Sequence, residues 1–269
     1  TLFAADSEAE LDKIAAHAPG ARVYLRLIVE NSMADWPLSR KFGCAGSALP
    51  ALLNHAVAVG LVPFGLSFRV GSQTRKAEFW NPVLDQVAPL WHAARADGHD
   101  LQLLNLGGGF PAFYGESIEA PRAYAAAVMR AVKARFGDVP QVMAEPGRGL
   151  VAEAGHIAAE VMLVSRKSAD DLHRWVYLDI GRFSGLAETE GEAIRYQIVT
   201  PHDGEETGPC VLAGPSCDSA DILYEKRPIH LPLALRDGDK VMIRACGAYT
   251  SSYSSVGFNG FPPLDVIVL

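Results

Sequence analysis

The sequence predicts an α/β protein in two parts: a parallel sheet or barrel over residues 1–155, then a mostly antiparallel β domain over residues 156–269. The first observation is that strand-like and helix-like segments alternate in the first part, as in parallel sheets with helical crossovers. The second is the loss of long helical patterns after about Gly155. The third is a length of 269 residues, of which 49% are hydrophobic, so that a sizeable core can be buried.

Five strands with helices between them are predicted in the first part. The chain opens on the apolar strand 1–5, and the helix Glu8–His17 follows, with Asp6 or Ser7 as its N-cap. Glycine or proline marks the ends of several segments, as at 19–20 and 98. The helices between successive strands favour parallel strands joined by crossovers. The remaining strands are expected at 22–29, 63–70, 101–106 and 141–144, and the remaining helices at 48–59, 79–96 and 121–136.

Strands without long helices between them are predicted in the second part, which is typical of an antiparallel β domain. No internal repeat or low-complexity segment interrupts this pattern. The strands are expected at 157–165, 175–180, 195–199, 210–213, 240–245 and 266–269.

Charge and cysteine content exclude several classes of protein. The chain has 31 acidic and 24 basic side chains, so it lacks the broad positive surface that nucleic-acid binding requires. It has no run of 18 apolar residues and no apolar leader, which predicts a cytoplasmic protein that does not enter the membrane. Its four cysteines form no CxxC pair and have no histidine at ligand spacing, so neither a metal site nor a disulfide framework is expected.

Three glycines follow the predicted strand 101–106. Gly107, Gly108 and Gly109 leave backbone N–H groups open to an anion, and such a loop at the mouth of a barrel commonly holds phosphate. A tight turn that needs positive φ explains the same glycines equally well.

Polar residues follow two other predicted strands. Glu145 and Arg148 come directly after the strand 141–144, where they can serve a ligand with separated charges; an ion pair at the rim is an equal alternative. Ser72 follows the strand 63–70, where its hydroxyl and the neighbouring amides can bind a further phosphate oxygen.

A thiol and a carboxylate stand side by side in the second part. Cys217 and Asp218 follow the predicted strand 210–213, and Tyr249 lies in a turn that contains glycine. Taken alone, a cysteine is more often inert packing than a reactive group. The pair indicates a functional site only in combination with the other segments.

Taken in this order, these segments resemble the fold-type III pyridoxal-phosphate decarboxylases, which act on ornithine, lysine, arginine or diaminopimelate and are related in fold to alanine racemase. The resemblance implies a TIM-type β/α barrel followed by an antiparallel β domain, with the first part of this chain supplying the later portion of the barrel. It also implies a homodimer with shared active sites. Further matching segments are 5–11, 38–43, 70–72 and 258–261.

The resemblance also implies roles for single residues around pyridoxal phosphate. Glu145 matches the carboxylate that pairs with the pyridine nitrogen and keeps the ring protonated. Arg69 occupies the position where the family has a histidine stacked on the ring. The phosphate cradle is implied to consist of Ser72, Gly107, Gly108, Gly109, Arg148 and Tyr249, and Gly147 is implied to be a further cofactor-binding residue.

The substrate side of the site is implied by the second part of the chain. Cys217 resembles the thiol that protonates the carbanion after carbon dioxide leaves, Asp218 a contact to the distal amine, and Phe258 a substrate-binding residue. The pair Cys217-Asp218 is similar to ornithine-type enzymes, which implies ornithine first and lysine second. The segments 36–39 and 185–189 resemble bacterial members of that subgroup, and a distal-amine ligand is expected among Glu188, Glu190 and Glu192.

Two departures from the family pattern leave two hypotheses. None of the lysines lies in the aromatic-x-Val-Lys context of the cofactor lysine, and the sequence is expected to begin about a hundred residues late relative to a complete barrel. Arg69 replaces a titratable ring with a fixed positive charge. The first hypothesis is a decarboxylase that makes a diamine for polyamine biosynthesis. The alternative is a catalytically inactive homologue that acts as a binding or regulatory protein.

Overall fold

The structure, a computed structural model, describes residues 1–30 and 41–269 and divides the chain into two units. Unit 1 comprises Thr1–Pro111 and Ile118–Gly149, and unit 2 comprises Ala112–Ser117 and Leu150–Leu269. The short segment Ala112–Ser117 therefore groups with the second half of the chain. The boundary expected between residues 155 and 156 stays a prediction.

Five parallel strands form the sheet of unit 1, and their order in the sheet is their order in the chain. All five predicted strands are present, so this part of the sequence prediction is confirmed. Parallel strands in sequential order with a helix in each connection are the arrangement of a β/α barrel. The strands are β1 (Leu2–Ala5), β2 (Arg22–Arg26), β3 (Val62–Ser67), β4 (Leu103–Asn105) and β5 (Gln141–Met143).

Four helices of ten or more residues connect these strands, as predicted. Three of them carry proline in the first turn, where a missing N–H leaves no backbone bond unmade. Ser7 occupies the N-cap of the first helix, one of the two predicted positions, although its side chain makes no capping bond. The other candidate, Asp6, instead accepts the N–H of Gly43 at 2.7 Å. The helices are α1 (Glu8–His17), α2 (Leu49–Ala58), α3 (Asn81–Ala96) and α4 (Pro121–Phe136), and the short α5 (Arg148–Val151) follows.

The core of unit 1 lies between the helices and one face of the sheet. Leu25, Leu66 and Leu104 from the strands are fully buried, and Trp80 and Trp91 are fully buried at and within α3. Burial of this apolar surface supplies the main favourable free energy of folding for the unit.

Seven strands form the sheet of unit 2. Six follow the order β10-β9-β7-β6-β12-β8, and β11 also pairs with β9. All pairs are antiparallel except β7 with β9, which confirms the mostly antiparallel domain. The strands are β6 (Ile157–Ser165), β7 (Arg174–Leu178), β8 (Ile198–Val199), β9 (Thr207–Ala213), β10 (Ile222–Leu223), β11 (Ile229–Pro232) and β12 (Lys240–Ile243).

The strand predicted at 266–269 is wrong. These residues have no strand partner within the described chain, and Val268 is 91% exposed. β-Branched residues favour a strand only where a neighbouring edge and a covered face exist, and neither is available here. The sequence analysis also missed β10 and β11, which pair with β9 over a few residues each.

Within residues 1–30 and 41–269, no helix is both long and apolar enough to cross a lipid bilayer. The same residues contain no group of three or more His, Cys, Asp or Glu side chains placed to hold a metal ion.

Close contact between β3 and β4 generates the first testable prediction. A Cβ atom on Gly65 would lie 2.2 Å from the carbonyl oxygen of Leu103, which is backbone and cannot rotate away. We therefore expect Gly65→Ala to lower the free energy of unfolding by about 1–3 kcal/mol, the usual cost of overpacking a close-packed site. Urea denaturation followed by circular dichroism measures this change.

Gly46→Ala is the matched control in the same unit. Its added Cβ would meet only the end of the flexible Leu90 side chain, at 2.9 Å, and this side chain can move. An equal loss of stability in the two variants would show that the β3–β4 contact is not the cause.

Candidate active site

The carboxyl edge of the parallel sheet brings together the cofactor residues predicted in unit 1. Because parallel strands end at the same edge, the loops after β3, β4 and β5 lie side by side. Arg69 and Ser72 follow β3, the three glycines follow β4, and the segment 145–148 follows β5. Of these residues, Ser72 and Arg148 are buried, whereas Glu145 and Gly147 are exposed.

Asn105, the last residue of β4, holds Glu145 in place. Its side-chain amide donates to Oε1 of Glu145 at 2.7 Å, and its own Oδ1 accepts the N–H of Gly107 at 2.9 Å. The N–H of Glu145 also donates to the carbonyl of Gly107 at 2.8 Å. Asn105 is completely buried, so one oxygen of the exposed Glu145 carboxylate is anchored from below while the group remains accessible.

The role of Asn105 was missed in the sequence analysis, although a signal was present. A polar amide at the end of a buried strand, directly before the glycines, is unusual because a buried amide needs partners for both its N–H and C=O groups. Here Glu145 and Gly107 supply those partners.

Tyr24 on β2 faces the same carboxylate. Partial burial raises the pKa of the Tyr24 phenol, the negative charge of Glu145 raises it further, and a hydrogen bond with Asn105 acts in the opposite direction. The phenol is therefore kept protonated, and it reports on the charge of Glu145.

Two of the three glycines are required by the backbone itself. Gly107 has φ +68° and Gly109 has φ +106°, a region that side chains disfavour. A Cβ on Gly107 would lie 2.3 Å from the carbonyl oxygen of Phe68, and one on Gly109 would lie 2.6 Å from that of Gly71. The structural explanation is thus confirmed for these two positions, and the phosphate role remains a prediction beside it.

The loop after β3 offers unpaired polar atoms at this edge. Nη2 of Arg69 donates to Oγ of the buried Ser72 at 3.1 Å, and the N–H of Thr74 donates to the carbonyl of Gly109 at 3.0 Å. Nε of Arg69 and Oγ1 of Thr74 are buried without a hydrogen-bond partner among the described residues. A buried N–H donor of a cation and a buried hydroxyl fit an anionic group such as the phosphate of the implied cofactor.

Tyr124 on α4 also holds the loop after β3, through a hydrogen bond to Thr74. The indole N–H of Trp80 donates to the Tyr124 hydroxyl at 2.6 Å, and that hydroxyl donates to the carbonyl of Thr74 at 2.6 Å. Burial raises the pKa of Tyr124 to about 12, so the hydroxyl stays protonated as a donor near neutral pH. The Phe110 ring, next to the glycines, lies 5.2 Å from the Trp80 ring.

Four predicted site residues belong to unit 2. Cys217 and Asp218 are exposed on the segment 214–221 after β9, which we call the thiol loop. Oδ1 of Asp218 accepts the N–H of Ala220 at 2.8 Å, so its carboxylate is partly used in a turn. Tyr249 has φ +56° and is 37% exposed.

Phe258 lies beside the thiol loop at a small surface depression in unit 2. Its ring packs on that of Phe183 with a centroid separation of 4.4 Å. Ser216 and Asp221 from the thiol loop line the same depression. Unit 2 therefore places the predicted substrate-binding Phe258 next to the loop that carries Cys217.

Two of the three acidic residues proposed as distal-amine ligands are ion-paired within unit 2. Glu190 pairs with Arg182 at 2.8 Å, and Glu192 pairs with Arg195 at 3.0 Å and with Arg227 at 3.2 Å. Burial acts to raise the pKa of Glu192, but hydrogen bonds from the backbone and side chain of Arg227 and from Lys226 hold it below its usual value. Glu188 is buried.

The segment 36–39, which resembles bacterial members of the family, lies outside the described residues, and so does the 38–40 portion of the segment 38–43.

Comparison with known families gives a match over residues 1–152, to the family described as "Pyridoxal-dependent decarboxylase, pyridoxal binding domain". The lysine/ornithine decarboxylase of Selenomonas ruminantium is 32% identical over 260 residues, which cover 96% of this chain and 64% of that protein. The chain thus spans just under two thirds of the length of that relative.

Two further proteins show the range of the similarity. The crystal structure of the lysine/ornithine decarboxylase from Vibrio vulnificus, complexed with cadaverine, matches with a TM-score of 0.83 and 31% identity, over 100% of this chain and 70% of that one. Antizyme inhibitor 2 of Xenopus laevis is 30% identical over 274 residues, which cover 95% of this chain and 58% of that protein.

Charge coupling between Glu145 and Tyr24 gives the second prediction. We expect Glu145→Gln to lower the pKa of Tyr24 toward its usual value, because the negative charge that opposes ionisation of the phenol is removed. Ultraviolet titration of tyrosinate measures this shift, and Tyr24→Phe identifies the contribution of this phenol.

The sign of the linked stability change follows from the same shift. The fold favours the protonated phenol, so its contribution to stability is present below the usual tyrosine pKa and is lost as pH rises through the raised value. Glu119→Gln, a change to another carboxylate in unit 1 that accepts a backbone N–H, is the control. An unchanged Tyr24 titration in Glu145→Gln would contradict the coupling.

Proposed function

Because the chain belongs to the family of pyridoxal-dependent decarboxylases, we propose that it forms part of a decarboxylase that converts a basic diamino acid to a diamine for polyamine biosynthesis. Pyridoxal phosphate is the cofactor of this family. The observation that carries the proposal is the Glu145 carboxylate, anchored by Asn105 at the carboxyl edge of the parallel sheet. Barrel enzymes place their chemistry at this edge.

Residues at the edge would hold the cofactor by charge and hydrogen bonding. The Glu145 carboxylate would accept a hydrogen bond from the protonated pyridine nitrogen. Asn105 keeps the carboxylate in the orientation that this bond requires. When bound, pyridoxal phosphate supplies an electron sink for the electron pair released as the carboxylate leaves the substrate. Phosphate contacts are proposed for Ser72, Gly107, Gly108, Gly109, Arg148 and Tyr249, and further cofactor contacts for Arg69 and Gly147.

Cys217 and Asp218 are proposed to act on the substrate. The Cys217 thiol would return a proton to the substrate carbon, and Asp218 would bind the distal ammonium group, with Phe258 against the carbon chain. Both Cys217 and Asp218 are exposed in the single chain, which supports a homodimer in which they complete the site of the partner subunit. The four cysteines are free, which supports action in a reducing compartment such as the cytoplasm.

Ornithine is proposed as the preferred substrate, with lysine second. The support is the carboxylate of Asp218 beside Cys217, since a short acidic side chain suits a distal ammonium group and repels a distal carboxylate. The names of the similar proteins from Selenomonas ruminantium and Vibrio vulnificus include both substrates.

Release of carbon dioxide from ornithine and lysine, by the longest native polypeptide that contains this chain, tests the activity. Incubation with pyridoxal phosphate, reduction with borohydride and peptide mapping test covalent attachment of the cofactor. Product formation together with a modified lysine supports the decarboxylase. If neither is found with the cofactor present, the enzymatic proposal is wrong.

Loss of the thiol gives the third prediction. We expect Cys217→Ala to lower kcat for ornithine by about 10²- to 10⁴-fold, the usual contribution of a positioned proton donor. Ser219→Ala, a change to an exposed side chain in the same loop, is the control and is expected to leave kcat unchanged. Full activity of Cys217→Ala would remove the thiol from the mechanism.

A second candidate function is binding without catalysis. The observation that favours it is Arg69, whose guanidinium stays charged at neutral pH and cannot exchange a proton there. One of the similar proteins is named antizyme inhibitor 2 and not as a decarboxylase. The binding protein is the conclusion if the native polypeptide shows neither product nor covalent cofactor.

Exchange of Arg69 gives the fourth prediction and separates the two functions. If the protein is a decarboxylase that uses Arg69 for its cofactor, we expect Arg69→His to change the dissociation constant for pyridoxal phosphate, measured by quenching of intrinsic fluorescence. Arg75→His, a change to a neighbouring cation, is the control. Equal cofactor affinity of the Arg69→His variant and the unaltered protein would contradict a cofactor contact by Arg69.

A further inference from the structure

Asp221 closes the base of the thiol loop from inside unit 2. Its carboxylate is buried, with 3% of the residue exposed. Oδ1 accepts the N–H of Arg182 at 2.7 Å, and Oδ2 accepts the N–H of Ser216 at 3.2 Å and its hydroxyl at 2.7 Å. The carboxylate therefore ties the residue directly before Cys217 to a different segment of the unit.

Two backbone hydrogen bonds of Asp221 also hold the thiol loop together. Its carbonyl accepts the N–H of Gly214 at 2.9 Å, and its N–H donates to the carbonyl of Asp218 at 3.0 Å. Both ends of the thiol loop thus meet at Asp221, while Cys217 and Asp218 protrude between them into solvent.

Two glycines make room for this carboxylate. A Cβ on Gly181 would lie 2.1 Å from Oδ1 of Asp221, and a Cβ on Gly214 would lie 2.3 Å from both carboxylate oxygens. Side chains are therefore excluded on two sides of the group, which leaves it one position. Within residues 1–30 and 41–269, the three groups that donate to it are neutral N–H and O–H groups, so hydrogen-bond geometry sets its orientation.

We propose that Asp221 is a positioning residue for Cys217 and Asp218, acting through Ser216 and the backbone of the thiol loop. The inference rests on the proposed function in so far as Cys217 and Asp218 act on the substrate. In the absence of the carboxylate, the loop loses its attachment to Arg182, and the thiol samples positions from which it cannot reach a fixed substrate carbon.

Asp221→Asn is the direct variant because it keeps the shape of the side chain and replaces one acceptor oxygen by an NH₂ donor. All three groups that contact the carboxylate are hydrogen-bond donors. The NH₂ group of the asparagine amide must therefore face a backbone N–H, either that of Arg182 or that of Ser216. Ser216→Ala removes only the hydroxyl contact and is the milder second variant. Asp203→Asn is the matched control, because Asp203 accepts the N–H and hydroxyl of Thr200 in another loop of the unit.

Two measurements follow the loop without turnover. Hydrogen exchange of the Arg182 and Ser216 amides is expected to accelerate about tenfold in Asp221→Asn, as for the loss of a hydrogen bond to a charged group. In the proposed homodimer, where Cys217 lies at the site of the partner subunit, its modification by a disulfide reagent is expected to accelerate about fivefold, because the loop leaves that site more often. Cys217 can be followed selectively because Cys44, Cys210 and Cys246 are buried, and burial raises the pKa of Cys210 to about 11 and of Cys246 to about 12.

A third measurement separates positioning from simple structural support. For ornithine decarboxylation we expect Asp221→Asn to lower kcat about tenfold or more, with a melting temperature close to that of Asp203→Asn. Ser216→Ala is expected to show the same changes at about a third of the size, and it decides the question if Asp221→Asn does not fold. Unchanged exchange and thiol modification in both variants overturn the proposal. Faster exchange with unchanged kcat in an active enzyme overturns it as well.

The failure of this inference and of the proposed function can be told apart. Exchange and thiol modification need no substrate, so they test the attachment of the loop even if the native protein releases no carbon dioxide. In that case the proposed function fails, and the exchange and modification rates still decide whether the position of the thiol depends on Asp221.

Discussion

Adjacent backbones within the parallel sheet and in the loops at its carboxyl edge approach too closely to admit a Cβ atom at Gly65, Gly107 or Gly109. This approach brings the loops after β3, β4 and β5 within hydrogen-bond distance of one another. The Gly107 carbonyl can then accept the N–H of Glu145, and the Gly109 carbonyl the N–H of Thr74. The glycines therefore contribute to the site by what they allow their neighbours to do, and the polar side chains are placed by backbone contacts that glycine permits.

In both units a buried polar side chain holds an exposed side chain for which a role is proposed. In unit 1 the buried amide of Asn105 holds one oxygen of an exposed carboxylate, and in unit 2 the buried carboxylate of Asp221 holds the loop that carries an exposed thiol. In each case a hydrogen-bonded polar group below the surface holds the segment that carries an exposed side chain. Buried polar groups are costly when unpaired, so such arrangements persist only with their partners complete.

Local patterns were enough to predict most of the fold and part of the site. The alternation of apolar strand-like segments with helical patterns depends on neighbours in sequence, and the strands and helices predicted from it in unit 1 were correct. The strand at 266–269 was wrong because β-propensity says nothing about whether a partner edge exists. The roles of Asn105, Tyr124 and Asp221 were missed because each depends on contacts with residues far along the chain, such as Glu145, Thr74 and Arg182.

The order of strands in the two sheets also bears on how the chain is made. In unit 1 each strand from β2 to β5 pairs with the strand synthesised just before it. The sheet can therefore form in step with translation, because the edge with which each new strand pairs is already present. In unit 2, β6 must also pair with β12, whose residues emerge more than seventy positions later. One edge of β6 therefore stays open on the ribosome until β12 appears, and that interval is the period in which the nascent chain is most exposed to wrong pairing.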